Sequence, residues 1–468
     1  YQDFSMTKSK IIIMKTLIKF LLLNKLFITI VIFSFIFVRT PHTQDLHLIQ
    51  DAEIENTILE WILPIYKIAE LNANSVKIYL INDDQINAFV AGGQNIFINT
   101  GLILKASSPD ALIGVLAHEI GHIAGGHLIR KEMAIEQTTA TVVVTTIITA
   151  GLLVANTLTN ADVSGATSLV TLGPSIAQRA FLKHNRENEK TADISAIKYL
   201  NAVNRPIKAL MNILKEIGKK ELLHEDRQDP YLRTHPFIRD RINTIEANIK
   251  NNENLKKEKP KEKIQYDRMV AKIIAFTQPP GKTLLLYPKN NDSLVSHYAR
   301  AIAYLRMPDL KKGLKEINYL IKNNPKDPYF PELLGQMLFE NGEIKKAITS
   351  LKASSDLLPS DPTIMLSLAR AQIEANEKNQ TVSALKNIKK IIKIDTENIL
   401  AWRLMSIAEE RLENHGLANL AAAEEAYRIG KFRLAIKFAE KSRKIFKKGT
   451  PNDLRAQDII FFASKKIK

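Results

Sequence analysis

The pattern of apolar positions in the first 110 residues predicts a small sheet beside helices. Apolar residues recur at helical spacing from Ile54 to Leu71. Two short runs rich in β-branched residues follow, Val76 to Ile81 and Asn95 to Asn99, and the turn residues Gly92 and Gly93 lie between them. This segment is therefore expected to combine short strands with flanking helices.

A helix start is clearly marked at Ser108. Serine is a good N-cap, Pro109 suits the first helical position, and an uninterrupted apolar run extends from Ala111 to Ala117. The sequence thus predicts a central helix whose buried first turns lead directly into residues 118–122.

The last third of the chain has a repeat of 34 residues. Pro325 and Pro359 are separated by this period, and the same offset relates the small residues Gly335 and Ala369. A 34-residue period with a small residue where two helices meet is typical of tetratricopeptide repeats. About four units are predicted, beginning near residues 324, 358, 394 and 426, and an irregular helical bundle is the alternative.

The N-terminal region resembles an export signal. Lys15, Lys19 and Lys25 precede an apolar run from Leu26 to Val38, which is short for a membrane span. Residues 14–40 are interpreted as a signal peptide, with an uncleaved anchor as the alternative. Either interpretation places the rest of the chain across a membrane from the cytoplasm.

Two further segments divide the chain. Residues 137–161 carry no charge and are predicted to be buried or to touch a membrane, with a second span as the alternative. Residues 250–263 are charged, contain a proline and have almost no apolar content, which is typical of a linker. The predicted organisation is a domain at 45–250, a basic linker and connecting helix at 251–290, and repeats at 291–468.

Composition excludes several kinds of chemistry. The chain has no cysteine, so disulfides, thiolate metal sites and cysteine nucleophiles are excluded. Its 66 Lys and Arg exceed its 49 Asp and Glu, giving a net charge of +17. That excess suits an anionic membrane surface, but no aromatic-basic module accompanies it, so nucleic acid is not expected as a partner.

The candidate chemistry begins with an HExxH motif. His118 and His122 lie about 40° apart on a helix, so both imidazoles can bind one Zn²⁺ ion, and Glu119 lies beside them to reach a metal-bound water. A catalytic zinc site needs a third protein ligand. Position 128 is leucine where a metzincin would have histidine, and His127 misses that position by one residue and is offset from the ligand face by about 100°.

A glutamate from a second helix is the remaining source of a third ligand. Residues 186–193 are expected to open that helix, and they offer the carboxylates of Glu187, Glu189 and Asp193. Glu189 and Asp193 are i, i+4 neighbours, so one can bind zinc while the other accepts the remaining N–H of a ligand histidine.

HExxH followed about 70 residues later by ExxAD resembles the gluzincin family that includes the CaaX prenyl endopeptidases and the bacterial membrane heat-shock peptidases. The matching residues are Glu189 and the Ala192-Asp193 pair. The resemblance implies that His118, His122 and Glu189 bind one zinc ion per chain, that Glu119 is the catalytic base and that Asp193 orients a ligand histidine.

Three more segments are similar to this family. Residues 87–93 and 99–102 resemble its edge strand, which is expected to pair with an extended substrate. His235-Pro236 with Arg241 resembles its HPxxxxR segment, in which the histidine is thought to approach the zinc and restrain activity. A capping role for His235 in a loop is the alternative. Residues 137–161 correspond to a lid that contacts the membrane.

The repeats indicate a periplasmic branch of the family that acts in outer-membrane protein assembly. The implied fold is mainly α with a small β-sheet, a gluzincin metalloprotease domain followed by an α-solenoid of tetratricopeptide repeats. The implied function is an exported zinc endopeptidase that cleaves misassembled outer-membrane or envelope proteins, with the repeats binding substrate or the β-barrel assembly machinery. The alternatives are a chaperone or scaffold with repressed proteolysis, and an integral membrane protease.

Overall fold

The computed structural model describes residues 47–72, 75–127, 166–221, 227–249 and 259–467. The predicted signal segment at 14–40, the uncharged segment at 137–161 and residues 250–258 of the linker lie outside these residues. Residues Leu48–Lys468 form one compact unit. Within the described ranges, no helix combines the length and the apolar character that crossing a bilayer requires.

A four-stranded sheet forms in the first domain, as the apolar pattern predicts. The strands are β1 (Leu48–Ile49), β2 (Ile78–Ile81), β3 (Ala88–Ala91) and β4 (Asn95–Asn99), in the order β1-β2-β4-β3. β2 and β4 are parallel, and the other two pairs are antiparallel. One face of the sheet is buried in the domain core through alternate apolar residues. β3 is the outer strand of this sheet within the described ranges.

Helices cover the buried face of the sheet. The predicted helix at 54–71 is α1 (Ala52–Ile68), followed by α2 (Thr100–Lys105) and α3 (Pro109–Ala124). Helices α4 (Ala166–Ala202), α5 (Ile207–Gly218), α6 (Pro230–Thr234) and α7 (Ile238–Ile249) complete the domain. Every residue of α3 from Pro109 to Gly121 is buried, so α3 forms the centre of the domain.

The expectation that residues 186–193 open a helix is wrong. They lie inside α4, which already begins at Ala166. A shift in composition alone does not show where a helix starts.

Helix pairs build the second half of the molecule. The connecting helices are α8 (Pro260–Thr277) and α9 (Pro280–Leu286). The pairs are α10 (Leu294–Arg306) with α11 (Leu310–Asn323), α12 (Tyr329–Glu340) with α13 (Ile344–Leu357), α14 (Pro362–Glu374) with α15 (Lys378–Ile394), α16 (Ile399–Arg411) with α17 (His415–Arg428), and α18 (Phe432–Arg443) with α19 (Pro451–Ile467).

These residues therefore form five pairs, one more than the predicted four. The additional pair, α10 with α11, precedes the first of the proline-containing turns that reveal the period. A Cβ at Gly335 would lie 2.5 Å from Leu351 Cγ, which confirms that a small residue is needed where α12 meets α13. The fold is mainly α with a small sheet and a helical-repeat solenoid, as predicted.

Buried charges join the repeats to the first domain through α8. Arg268 contacts Glu53 of the first domain at 2.6 Å and Asp327 of the repeats at 2.5 Å. Lys272 lies 2.7 Å from Asp51. Further along the solenoid, Lys77 pairs with Asp395 at 2.6 Å. The two halves are thus held together at several points along the repeats.

Candidate metal centre

Helix α3 carries the three residues of the HExxH motif. The Ser108 side chain accepts a hydrogen bond from the Ala111 N–H at 3.2 Å, so the predicted N-cap forms. His118 and Glu119 are buried within the domain, and His122 is partly buried near the end of the helix. Nε2 of His122 lies 3.0 Å from Nε2 of His118, so both imidazoles face the same point.

Helix α4 crosses α3 at the motif and brings two carboxylates with it. A Cβ at Gly121 would lie 2.7 Å from the Ala192 carbonyl oxygen, so only glycine permits this approach. Glu189 and Asp193 lie on either side of that contact. The Glu189 carboxylate is 3.3 Å from Nε2 of both histidines.

A fourth residue enters from the loop between α6 and α7. Nδ1 of His235 lies 3.3 Å from the Glu189 carboxylate and 3.4 Å from Nε2 of His118. Phe237 has a positive φ of 67°, a strained conformation for a bulky residue, in the turn that presents His235. The loop histidine therefore lies among the candidate ligands rather than only capping a helix.

The donor atoms of these four residues form a compact group. Ligand atoms of His118, His122, Glu189 and His235 all lie within 4.8 Å of one another, and five measured separations between them are 3.0 to 3.4 Å. Four ligands about 2.0–2.1 Å from a tetrahedral zinc ion are about 3.3 Å apart. The donor set and its spacing therefore fit a tetrahedral metal ion.

The buried residues Asp193 and Arg241 hold His118 through its Nδ1, on the side of the ring away from the metal group. Nδ1 of His118 lies 2.8 Å from Asp193 Oδ1, and the Arg241 guanidinium donates to both oxygens of Asp193 at 2.9 Å. Arg241 is only 2% exposed. Because Nδ1–H of His118 donates to Asp193, Nε2 is left to face the metal group.

The pKa values reflect this concentration of charge. Burial lowers the pKa of His122 to about 3, so its imidazole is neutral, as metal binding requires. Burial and Arg241 lower the pKa of His118, but the Asp193 and Glu189 carboxylates outweigh them and raise it to about 9. Burial would raise the pKa of Glu189, yet the neighbouring histidines hold it well below its usual value. The carboxylate and imidazoles are thus arranged to share a cation.

Glu119 is placed differently from the candidate ligands. Burial raises the pKa of Glu119, whose Oε1 lies 3.4 Å from Nε2 of His235, and neither carboxylate oxygen accepts a hydrogen bond from the described residues. Glu119 lines a cavity of 190 Å³ together with His122, His235 and the strand residues Phe89 and Val90. A buried carboxylate that faces a cavity beside a metal group can accept a proton from a bound water.

His127 was not predicted to take part in this site. Helix α3 ends at Ala124, and Gly126 has a φ of +62°, so the chain turns back and brings Nδ1 of His127 to 2.8 Å from Nδ1 of His122. His127 therefore contacts the Nδ1 of His122 and not the Nε2 that faces the metal group, so it lies outside the group of donor atoms. The Gly125-Gly126 pair was the signal for this turn.

Paired histidines on one helix, a glutamate from a second helix and a buried carboxylate beside them are the site of a metallopeptidase. Residues 49–249 match the model of peptidase family M48. This match confirms the family resemblance drawn from the motifs.

The similarity to curated proteins extends into the repeats. The β-barrel assembly-enhancing protease of Escherichia coli (strain K12) is 24% identical over 380 residues, which are 76% of this chain and 73% of that protein. The protein of the same name from Yersinia pestis is 25% identical over 380 residues, covering 78% and 75%.

Among solved structures, YrrB is described as a TPR protein with an unusual peptide-binding site. It covers 38% of this chain and 91% of its own, with 15% identity and a TM-score of 0.32. Yeast Tom70 covers 79% of this chain and 90% of its own, with 12% identity and a TM-score of 0.29.

Proposed function

We propose that the protein is an exported zinc-dependent endopeptidase that cleaves misassembled outer-membrane or envelope proteins. The tetrahedral spacing of the four donor atoms carries this proposal, since 3.0 to 3.4 Å between ligands suits one zinc ion per chain. His118, His122 and Glu189 would hold the ion, and Asp193 would fix the tautomer of His118.

A zinc ion held by His118, His122 and Glu189 would supply a Lewis acid that lowers the pKa of water toward about 7 and polarises the scissile carbonyl. Glu119 accepts the proton of the attacking water and later donates it to the leaving amine. The edge of β3 that has no partner strand among the described residues would hold the substrate backbone in an extended conformation beside Glu119.

The Glu119→Gln substitution tests this assignment. Glutamine keeps the shape of the side chain but cannot accept the proton, so casein hydrolysis should fall at least about 100-fold, while zinc content measured by atomic absorption stays near one per chain. Hydrolysis by the parent protein should also stop with a chelator and return with zinc. Undiminished cleavage by Glu119→Gln would exclude Glu119 as the base.

His235 is proposed to restrain this activity, with Arg241 supporting the site. His235 stands where a catalytic zinc site keeps an open position for water, because its Nδ1 completes the tetrahedral donor set. The His235→Ala protein should therefore cleave casein faster than the parent at equal zinc content. A slower rate would instead assign His235 to catalysis.

The periplasm is the proposed location. Support comes from the signal-like segment at 14–40 and from the relatives named for β-barrel assembly. Outer-membrane β-barrel proteins and their assembly machinery are accordingly the proposed partners, and residues 137–161 are proposed to touch the membrane surface. Fractionation of cells expressing the full chain would test this location.

A scaffold or chaperone is the second candidate function. The observation that favours it is His235, whose place in the donor set is consistent with repressed proteolysis. Expression of Glu119→Gln in a strain lacking the protein distinguishes the two. Equal protection of the envelope by Glu119→Gln and by the parent would favour the scaffold, whereas loss of protection would favour the protease.

A further inference from the structure

Three aromatic rings form a continuous stack on the face of the sheet opposite the core. Tyr79 on β2 is paired in register with Phe97 on β4, which is paired in turn with Phe89 on β3. Most of their neighbours along the strands are buried in the core, whereas these three side chains, like Val90, are half-buried. We call Tyr79, Phe97 and Phe89 the aromatic ladder.

The dimensions of the ladder match those of the sheet itself. The ring centroids of Tyr79 and Phe97 are 4.9 Å apart and those of Phe97 and Phe89 are 5.0 Å apart, with the ring planes inclined by 15° and 7°. Adjacent strands are about 4.7–4.9 Å apart. A further strand added beside β3 would therefore bring one of its side chains to the same spacing from Phe89.

Phe89 ends the ladder at the catalytic cavity. It lines the same 190 Å³ cavity as Glu119 and His122, so a strand that pairs with β3 passes both the ladder and the candidate base. Alternate side chains of a strand point to opposite faces of a sheet. The substrate residue opposite Phe89 thus points to the ladder face, while its two neighbours point toward the face that holds α3.

We propose that the ladder is a specificity site that selects substrates with an aromatic side chain opposite Phe89. This inference rests on the proposed peptidase function, because it assumes that substrate pairs with β3. The ring of such a residue would stack on Phe89 as a fourth aromatic ring. A stacked aromatic pair contributes binding free energy beyond that gained by burying its surface area. The preferred ligand is an extended segment in which aromatic residues alternate with polar ones.

The other end of the ladder lies near the repeats. Lys77, two residues before Tyr79 and on the same side of the strand, pairs with Asp395 at the end of α15. The aromatic surface is therefore continuous from the neighbourhood of the solenoid to the catalytic cavity. An aromatic segment released from the repeats would meet the ladder before it reaches Glu119.

Binding can be measured without hydrolysis in the Glu119→Gln protein. The probes are two fluorescent octapeptides flanked by lysine, one with Phe and one with Leu at every second position, compared by fluorescence polarisation. We expect the Phe peptide to bind about 2- to 10-fold more tightly, the factor equivalent to one aromatic pair. Adding Phe89→Leu should abolish this preference, and adding Phe89→Tyr should retain it.

Phe461→Leu is the matched control, because Phe461 is an exposed aromatic residue on α19. It should leave the preference for the Phe peptide unchanged. Equal affinities for the two peptides, or a preference that survives Phe89→Leu, would overturn the inference. If the parent protein never cleaves casein but the preference still depends on Phe89, the proposed peptidase function is overturned and the aromatic site is retained.

Discussion

At the scale of single residues, the contact of His127 with His122 adds a residue to the metal centre that the HExxH and ExxAD motifs do not include. When His122 faces the metal group through Nε2, its Nδ1–H points to Nδ1 of His127, 2.8 Å away. Hydrogen-bonded partners of this kind fix the tautomer and orientation of a ligand histidine. His127 is therefore a positioning residue for His122.

The His127→Ala protein should bind zinc about 10- to 100-fold more weakly than the parent. Competition with a chromophoric chelator measures this directly, without relying on activity. His127→Asn can place an amide oxygen near the position of Nδ1 and should restore part of the affinity. His415→Ala, which alters an exposed histidine on the repeats, is the control. Unchanged zinc affinity in His127→Ala would contradict the positioning role.

At the scale of elements, the crossing of α3 and α4 determines whether the ligands meet. The closest approach is Gly121 against the Ala192 backbone, with a virtual Cβ of Gly121 only 2.7 Å from the carbonyl oxygen and 3.0 Å from Cα. This contact lies between the ligands on α3 and those on α4. A change in helix spacing at that point moves Glu189 away from both histidines.

Gly121→Ala should therefore weaken zinc binding and lower the free energy of unfolding by about 1–3 kcal/mol, as overpacked substitutions do. Gly281→Ala is the matched control, because a Cβ there has no atom within 4 Å among the described residues. That control should be neutral or slightly stabilising. Thermal unfolding and zinc competition on both variants check the prediction, and equal behaviour would show that the crossing tolerates a methyl group.

Local signals were enough to predict some elements and insufficient for others. The start of α3 was predictable because Ser108 and Pro109 are capping residues with a local mechanism. β1 has only two residues, too few for a periodic pattern, and its partner β2 lies about 30 residues further along the chain. Residue types alone do not separate Glu187 from Glu189, whereas the resemblance to the ExxAD motif selects Glu189. The crossing of the two helices places Glu189 beside the histidines.

At the scale of the whole molecule, the charges between the two halves should make stability depend on pH. Burial raises the pKa of Glu332 to about 7, even though Lys272 opposes the shift. Asp51, Asp361 and Glu53 surround the same region. Between pH 4.5 and 7 the folded protein retains a proton on Glu332 that the unfolded chain has released, so this group favours folding less as the pH rises.

Glu332→Gln removes that proton equilibrium. The melting temperature of Glu332→Gln minus that of the parent should therefore increase from pH 5 to pH 8, because only the parent loses stability from this group over that range. Glu340→Gln, which changes an exposed glutamate on the same helix, should show a constant difference. Scanning calorimetry of the full chain at four pH values checks this, and parallel curves for Glu332→Gln and the parent would contradict it.

Helix α8 determines where the peptidase domain and the repeats can be separated in a chimeric protein. Its residues Tyr266, Met269 and Ile273 belong to the core of the peptidase domain, whereas Ala275 belongs to the core of the first repeats. The Tyr266 hydroxyl also donates to the carbonyls of Ile103 and Ala106. A chimera joined within residues 250–263 would remove these α8 residues from the core of the peptidase domain. A chimera that keeps the peptidase domain intact must therefore retain α8 and replace the repeats only beyond Thr277.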